Sequence, residues 1–256
     1  MLNNVLLIIC LLLIIMDWSH NRFSDDNIYL NEDRYEKPKE VHKEIISIIQ
    51  KYYNKEYTSV LDCGCATGAL LYNIRKVYPH LELNGFDISP EMIEYAKKKL
   101  TNAELFVSDL GEDFKYKDKK RKQSDIVICS GVLSIFDDYK KIINNLIIST
   151  NKNGIIIIQG QINPDPVDVI MRYRRADGKE WEGGWNIISK YSFESYLKAH
   201  SKVNDYEWND YNLGIDVPKR IEDPMRTWTA ELNKKNVLLN GACQVLYSTN
   251  LVIRVG

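Results

Sequence analysis

The feature that most constrains the fold is an alternation of short apolar segments and amphipathic helical segments between Ser59 and Ile158. The strand patterns are Ser59–Leu61, Leu81–Phe86, Ala103–Val107, Asp125–Cys129 and Gly154–Ile158, and the helical patterns are Ala69–Val77, Pro90–Leu100 and Asp138–Ser149. Ser89 and Pro90 are a typical N-cap and first-turn pair. Such alternation predicts an α/β fold with a doubly wound, mostly parallel sheet and right-handed crossovers.

The regular alternation ends after Gly160. Residues 161–184 are rich in Pro, Gly, Trp and charge, and they predict an irregular insertion after the fifth strand. Further on, Met225–Leu232 and Asn236–Leu239 predict a hairpin, and Gln244–Val255 predicts the last strands.

Composition excludes several classes of protein. Apolar residues make up 45% and charged residues 27% of the 256 residues, as in ordinary globular domains. The net charge of -1 provides no basic field for nucleic acid or an anionic membrane. Five cysteines do not form the framework of a small secreted protein, so we expect a reducing cytoplasm.

The N-terminus carries an apolar run from Val5 to Met16. It is shorter than the roughly 20 residues that a membrane-spanning helix needs, and it lacks the basic flank and the cleavage site of a signal peptide. Three interpretations of this run are open: translation begins at Met16, the run is a weak amphiphilic anchor, or the protein is secreted. We treat residues 1–16 as a separate apolar segment, expect residues 1–15 to be dispensable, and expect residues 17–256 to form one domain.

A glycine-containing turn follows the first predicted strand. It reads Asp62-Cys63-Gly64-Cys65-Ala66-Thr67-Gly68 and leads directly into a helix. Small residues allow a ligand to approach the backbone, and the helix start offers unpaired N–H groups. A dinucleotide site would need G-x-G-x-x-G for a pyrophosphate, whereas a carboxylate before the turn favours a cationic ligand.

With this turn, the chain resembles the class I S-adenosylmethionine-dependent methyltransferases. Asp62, Gly64 and Gly68 match the first motif of that family, and Ala66 stands at its middle glycine. The resemblance covers about residues 40–160 and the terminal strands. It implies a Rossmann-like, mostly parallel seven-stranded sheet with an insertion at about 161–190 and a hairpin insertion at about 215–242.

The resemblance also implies cofactor-binding residues at the ends of the later strands. Asp87 corresponds to the carboxylate that binds the ribose hydroxyls, and Asp109 to the group that meets the adenine amino group. The full expected set is Asp62, Gly64, Ala66, Gly68, Asp87, Ile88, Asp109, Leu110 and Ser130. S-adenosyl-L-methionine is the cofactor implied, and no metal is required.

The sequence names no catalytic residue. Ser134 occupies the position after the fourth strand where many relatives carry His or Glu, and the four histidines are scattered. Methyl transfer needs alignment of donor and acceptor and exclusion of water more than it needs a base.

The insertion provides the candidate acceptor site. Met171-Arg172-Tyr173-Arg174-Arg175 places three guanidinium groups among aromatic residues, and Arg226-Thr227-Trp228 adds another. Arg suits phosphate and carboxylate recognition, which predicts Arg172, Arg174 and Arg175 as acceptor ligands; a solvated loop is the alternative. The stretches Arg172–Trp185 and Asp223–Thr229 are also similar to methyltransferases of bacterial capsule and lipopolysaccharide loci. That similarity implies O-methylation of a surface-glycan precursor, such as a sugar hydroxyl or an O-methyl phosphoramidate.

Other functions remain as alternatives. A methyltransferase of another small metabolite and a non-catalytic binding subunit share the same motifs. A nicotinamide-dependent epimerase or reductase lacks support because G-x-G-x-x-G and Y-x-x-x-K are missing. Asn163-Pro164-Asp165-Pro166 follows the fifth strand without the aromatic residue of nucleic-acid methyltransferases, so it predicts a turn. We therefore expect a small-molecule acceptor.

Overall fold

The computed structural model describes residues 26–32, 34–112, 122–178 and 180–256. The helices are α1 (Asp26–Asn31), α2 (Glu40–Tyr52), α3 (Ala69–Val77), α4 (Pro90–Lys99), α5 (Tyr139–Ile148) and α6 (Lys190–Ala199), with a 3-10 turn at Leu133–Ile135. The strands are β1 (Ser59–Cys63), β2 (Glu82–Asp87), β3 (Ala103–Val107), β4 (Ser124–Ser130), β5 (Thr150–Asn163), β6 (Arg172–Tyr173), β7 (Glu182–Gly183), β8 (Ile188–Ser189), β9 (Val203–Asp210), β10 (Trp228–Leu232), β11 (Lys235–Leu239), β12 (Val245–Leu246) and β13 (Ser248–Val255). The expectation for residues 1–15 lies outside the described residues.

The central sheet has the strand order β3-β2-β1-β4-β5-β13-β9. Neighbouring strands run parallel except β13, which is antiparallel to both β5 and β9. This confirms the doubly wound, mostly parallel seven-stranded sheet, and the two-residue strand β8 extends it beside the end of β5. The order reverses between β1 and β4, which is where open α/β sheets form their ligand crevice.

The central strands are apolar on both faces because helices cover both faces. In β5, Ile155 and Ile157 belong to one core cluster, whereas Ile156 and Ile158 belong to the other. Helices α2, α3 and α4 contribute to the first cluster, and α5 and α6 contribute to the second. The near-continuous isoleucine run thus reflects a buried parallel strand, as such runs usually do.

Strand β5 and helix α6 are longer than the sequence predicts. Strand β5 continues to Asn163, beyond the predicted end at Ile158. Helix α6 begins at Lys190, earlier than the predicted start at Phe193. The reason is a capping contact, since the Ser189 hydroxyl oxygen accepts a hydrogen bond from the Ser192 N–H at 3.1 Å.

The predicted hairpin is confirmed as β10 and β11, which pair from Trp228 opposite Leu239 to Leu232 opposite Lys235. Its two loop residues, Asn233 and Lys234, both have positive φ, as in a tight hairpin turn of the primed type. Within the described ranges, no helix has the length and apolarity that crossing a membrane requires.

Candidate active site

A cleft of about 1010 Å³ opens at the carboxyl ends of the parallel strands. Its lining includes Asp62, Gly64, Ala66, Asp87, Ile88, Asp109, Leu110, Ser130 and Ser134. Small-ligand pockets usually measure about 300–1,000 Å³, so this cleft lies at the upper end of that range. The topology thus gathers most of the expected cofactor residues at one edge of the sheet, and Gly68 supports the turn without lining the cleft.

The turn between β1 and α3 has a backbone that few side chains tolerate. Gly64 and Gly68 have φ of 83° and 79°, and a Cβ at Gly64 would lie 2.4 Å from Cγ2 of Val132. The Gly64 and Cys65 N–H groups both donate to the Phe86 carbonyl, at 2.8 and 2.9 Å, so the turn is fixed to the end of β2. Ala66 has φ of 46°, which explains why a glycine is preferred at that position of the motif.

Asp87 lies at the end of β2, and both of its carboxylate oxygens accept backbone hydrogen bonds. Oδ2 accepts from the Ala66 N–H at 2.8 Å, and Oδ1 accepts from the Ser89 N–H at 3.0 Å. The carboxylate is therefore oriented by the turn on one side and by the start of α4 on the other. A carboxylate has about four lone-pair positions, so both oxygens keep capacity for a ligand's hydroxyl groups.

Asp62 is the buried carboxylate of the site. It is 3% exposed and lines the cleft. Burial, together with the nearby negative charge of Asp87, raises the pKa of Asp62 to about 7. A buried carboxylate without a cation is costly, so a cationic ligand group would be stabilised beside it.

Four further predicted residues complete this part of the cleft. Asp109 accepts a hydrogen bond from the Gly111 N–H at 2.7 Å, and the Ser130 hydroxyl donates to Oε1 of Gln159 at 3.1 Å. Ile88 is 53% exposed within the cleft lining, whereas Leu110 is buried. An exposed apolar side chain beside two carboxylates suits a ligand with a flat ring and polar substituents.

The structure places Arg172, Arg174 and Arg175 outside the lining of the cleft. Arg172 forms an ion pair with Asp137. Arg175 forms ion pairs with both Glu182 and Asp223, and each of these two N–O distances is 3.1 Å. The Arg174 guanidinium lies 5.8 Å from the ring centroid of Trp181. These contacts support the fold of the insertion, so the acceptor-binding role of the three arginines stays a prediction that this geometry does not favour.

Other basic residues, which the sequence analysis did not assign to the site, line the cleft. Arg34 and Lys39 come from the segment before α2, and Arg220 and Arg226 come from the segment before β10. From the insertion itself, Trp185 and Asn186 reach the cleft. Of these four basic residues, only Arg226 belonged to a motif in the sequence analysis. The other three were missed because residues about 190 positions apart in the chain leave no local sequence pattern when they meet in space.

We assign no general base among the described residues that line the cleft. Ser134 lines it, and its carbonyl oxygen accepts a hydrogen bond from the Asn186 N–H at 2.9 Å. In the part of the chain that the structure describes, no group of three or more His, Cys, Asp or Glu side chains is arranged to hold a metal ion.

Known proteins are similar to part of this chain. A family model described as a methyltransferase domain matches residues 54–180. An uncharacterized protein of Rickettsia prowazekii is 30% identical over 167 residues, covering 58% of this chain and 55% of that protein. A malonyl-[acyl-carrier protein] O-methyltransferase of Acetivibrio thermocellus is 29% identical over 105 residues, covering 40% of this chain and 35% of the relative. The chain thus spans about half or less of the length of these curated relatives.

Solved structures share the fold over most of the chain. The plantazolicin methyltransferase BpumL, in complex with a pentazolic desmethylPZN analog and SAH, has a TM-score of 0.55 at 16% identity. The match covers 90% of this chain and 89% of that chain. At this identity, the likeness shows the fold alone.

Proposed function

Since the chain carries a class I S-adenosylmethionine-dependent methyltransferase domain, whose cofactor is S-adenosylmethionine, we propose that the whole protein methylates a small acceptor that is anionic or sugar-linked. The observation that carries this proposal is the convergence of Asp62, Asp87 and Asp109 on one cleft at the strand ends. Their chemistry fits a ligand that has a cationic part, a pair of hydroxyl groups and an amino-substituted ring.

Each residue has a proposed role toward the cofactor. Asp87 accepts hydrogen bonds from the ribose hydroxyls, because its oxygens are already oriented by the Ala66 and Ser89 N–H groups. Asp62 faces the cationic methionine part, and Asp109 meets the adenine amino group. Ile88 and Leu110 pack against the ring, and Ser130 lies near the sulfonium end.

The chain contributes positioning and charge to the reaction. When bound, S-adenosylmethionine supplies an electrophilic methyl group on a positively charged sulfur. The strand-end turns hold the donor, and the walls of the cleft align the acceptor oxygen and exclude water, which is a large share of what such a transfer needs. The acceptor hydroxyl must lose its proton, and we assign no residue to that step.

The acceptor is a narrower proposal. The resemblance of Arg172–Trp185 and Asp223–Thr229 to methyltransferases of capsule and lipopolysaccharide loci implies O-methylation of a surface-glycan precursor, such as a sugar hydroxyl or an O-methyl phosphoramidate, and we propose this acceptor class. The alternatives are another small metabolite and a binding subunit without turnover. Transfer of labelled methyl groups to extracted nucleotide sugars would separate these alternatives.

We also propose a cytoplasmic location. Among the described residues, Cys63, Cys65, Cys129 and Cys243 are free thiols, and the first three are buried. Free thiols are typical of a reducing compartment.

Calorimetry with S-adenosylmethionine, S-adenosylhomocysteine and NAD tests the proposed cofactor. We expect both sulfur nucleotides to bind and NAD not to bind. Asp87→Ala should weaken both by roughly tenfold to a hundredfold, since losing a charge-assisted hydrogen bond costs about 1.5–3 kcal/mol. Asp205→Ala is the matched control, because Asp205, on β9, is exposed and forms an ion pair with Arg254. Binding of NAD alone, or equal affinities for both variants, would contradict the assignment.

A further inference from the structure

The charged residues of the cleft are divided between two groups of elements. Asp62, Asp87 and Asp109 lie at or just after the ends of parallel strands, whereas the basic residues lie on the segments before α2 and before β10, together with Glu32 and Asp216. We call the basic group the cationic patch; it consists of Arg34, Lys39, Arg220 and Arg226. We propose that the cationic patch binds an oxyanion of the acceptor, a phosphate or a carboxylate group. This inference rests on the proposed methyl transfer.

Two side chains, Glu32 and Tyr29, hold the cationic patch together. Glu32 accepts ion pairs from Arg34 Nε, Lys39 Nζ and Arg220 Nη2 at 3.1, 3.2 and 3.0 Å. The ring centroid of Tyr29 lies 4.3 Å from Lys39 Nζ and 5.5 Å from Arg226 Cζ. Arg34, Lys39 and Arg220 therefore share the Glu32 carboxylate. Arg226 lies near the Tyr29 ring, which also contacts Lys39.

Three carboxylates form ion pairs with the four cations of the cationic patch: Glu32, Asp223 and Glu222, whose Oε1 lies 4.0 Å from Nη1 of Arg220. Asp223 pairs with Arg226 at 3.2 Å but also binds Arg175. Glu40 and Asp216 line the cleft as well. Glu40 pairs with Lys43 at 2.5 Å, and Asp216 accepts a hydrogen bond from Asn236. Counted over direct ion pairs, the four cations of the patch therefore exceed their three carboxylates, and a bound anion would neutralise the difference.

A histidine lies beside the cationic patch in the same cleft. His42 lines the cleft, and burial together with the charges of Lys39 and Arg34 lowers its pKa to about 3, against the opposing effect of Glu32. An imidazole that stays neutral adds no competing charge at neutral pH.

The donor chemistry indicates the class of ligand. Guanidinium groups bind phosphate and carboxylate through paired N–H donors, and an ammonium adds a compact charge. The cationic patch and the expected cofactor residues line the same cleft, so the oxyanion and the oxygen to be methylated can belong to one small molecule. The assignment moves acceptor recognition from Arg172, Arg174 and Arg175 to basic residues that line the cleft.

Anion titration of the S-adenosylhomocysteine complex tests the proposal. Inorganic phosphate and succinate are titrated separately by calorimetry at constant ionic strength, with sodium chloride as the background salt. We expect saturable binding of at least one anion, and the tighter one identifies the chemical source of the oxyanion. Lys39→Met with Arg220→Met should weaken that binding by about tenfold or more, because two charge-assisted contacts are lost.

Three further variants separate recognition from damage to the fold. Glu32→Gln removes the competing carboxylate and should tighten anion binding by several-fold, which a damaged segment would not do. Lys51→Met with Arg254→Met is the matched control, because their ion pairs with Glu207 and Asp205 are exposed. Arg172→Met with Arg174→Met should leave anion affinity unchanged.

The outcomes are distinct. Absence of saturable anion binding, an unchanged affinity in the Lys39 and Arg220 variant, or an equal loss in the control variant would overturn the cationic patch as a binding site. S-adenosylhomocysteine affinity should stay within about twofold across these variants, since none of the residues belongs to the cofactor set. Failure of the unaltered protein to bind S-adenosylhomocysteine would instead contradict the proposed function.

Discussion

At the scale of single residues, the site depends on two carboxylates with different surroundings. Asp87 accepts backbone hydrogen bonds from Ala66 and Ser89, whereas Asp62 is buried and has a pKa raised to about 7. A buried carboxylate without a nearby cation lowers the stability of the free protein. The same property suits the binding of a cation, because the ligand supplies the missing charge.

Asp62 should make cofactor affinity depend on pH. Only its ionised form attracts a cation, so the affinity for S-adenosylmethionine should fall as the pH decreases below 7, approaching about tenfold per pH unit well below that value. Asp62→Asn should bind weakly at every pH and show a flat profile from pH 5.5 to 7. Calorimetry in buffers of equal ionic strength measures both profiles.

Stability provides the control for this prediction. Because the folded pKa is raised, the stability contributed by Asp62 is complete below its ordinary pKa near 4 and is lost as the pH rises through about 7. Asp62→Asn should therefore be more stable than the unaltered protein at pH 8 without cofactor, as measured by urea unfolding. A less stable variant at pH 8 would contradict the raised pKa.

At the scale of elements, the turn between β1 and α3 determines where ligands can approach. Gly64 and Gly68 adopt positive φ, and the turn is bonded to the Phe86 carbonyl. Gly64 is also enclosed, since any Cβ there would collide with Val132 from the loop after β4. The turn thus couples three strand ends, and a glycine is required for both backbone and packing reasons.

Gly64→Ala should therefore destabilise the fold by about 2–4 kcal/mol, from left-handed backbone strain and a steric clash together. Gly160→Ala is the matched control, because its Cβ would meet nothing within 4 Å and its backbone needs no positive φ. That variant should stay within about 0.5 kcal/mol of the unaltered protein. Urea unfolding compares the two, and similar free energies of unfolding would show that the turn is not strained.

At the scale of the whole molecule, the two ends of the sheet have different tasks. The carboxyl ends form the cleft, whereas the amino ends are joined by Asp125 at the start of β4. Oδ2 of Asp125 accepts from the Thr58 and Ser59 N–H groups at 2.8 and 3.1 Å, and Oδ1 accepts from Asn151 at 2.7 Å. Burial opposes ionisation of Asp125, but these hydrogen bonds outweigh it and lower its pKa.

Asp125→Ala should lower the free energy of unfolding by about 2–4 kcal/mol, because several hydrogen bonds to one charge are lost. Since the folded pKa is lowered, the stability from Asp125 is present above its ordinary pKa near 4 and is lost as the pH falls through the folded value. The difference between variant and unaltered protein should thus be larger at pH 7 than at pH 3. Cofactor affinity should not change, and a large change would mean that the two ends are coupled.

The sequence by itself determined the sheet, its helices and the glycine-containing turn between β1 and α3. Those features come from patterns within short segments, such as the isoleucine run of β5 and the spacing of Asp62, Gly64 and Gly68, which local sterics and burial decide. Only the tertiary structure decided which basic residues reach the cleft. Arg172 and Arg175 are held by distant carboxylates, whereas Lys39 and Arg220 meet on Glu32. Such pairings depend on how separate segments pack in space, and the raised pKa of Asp62 depends on the burial that the same packing creates.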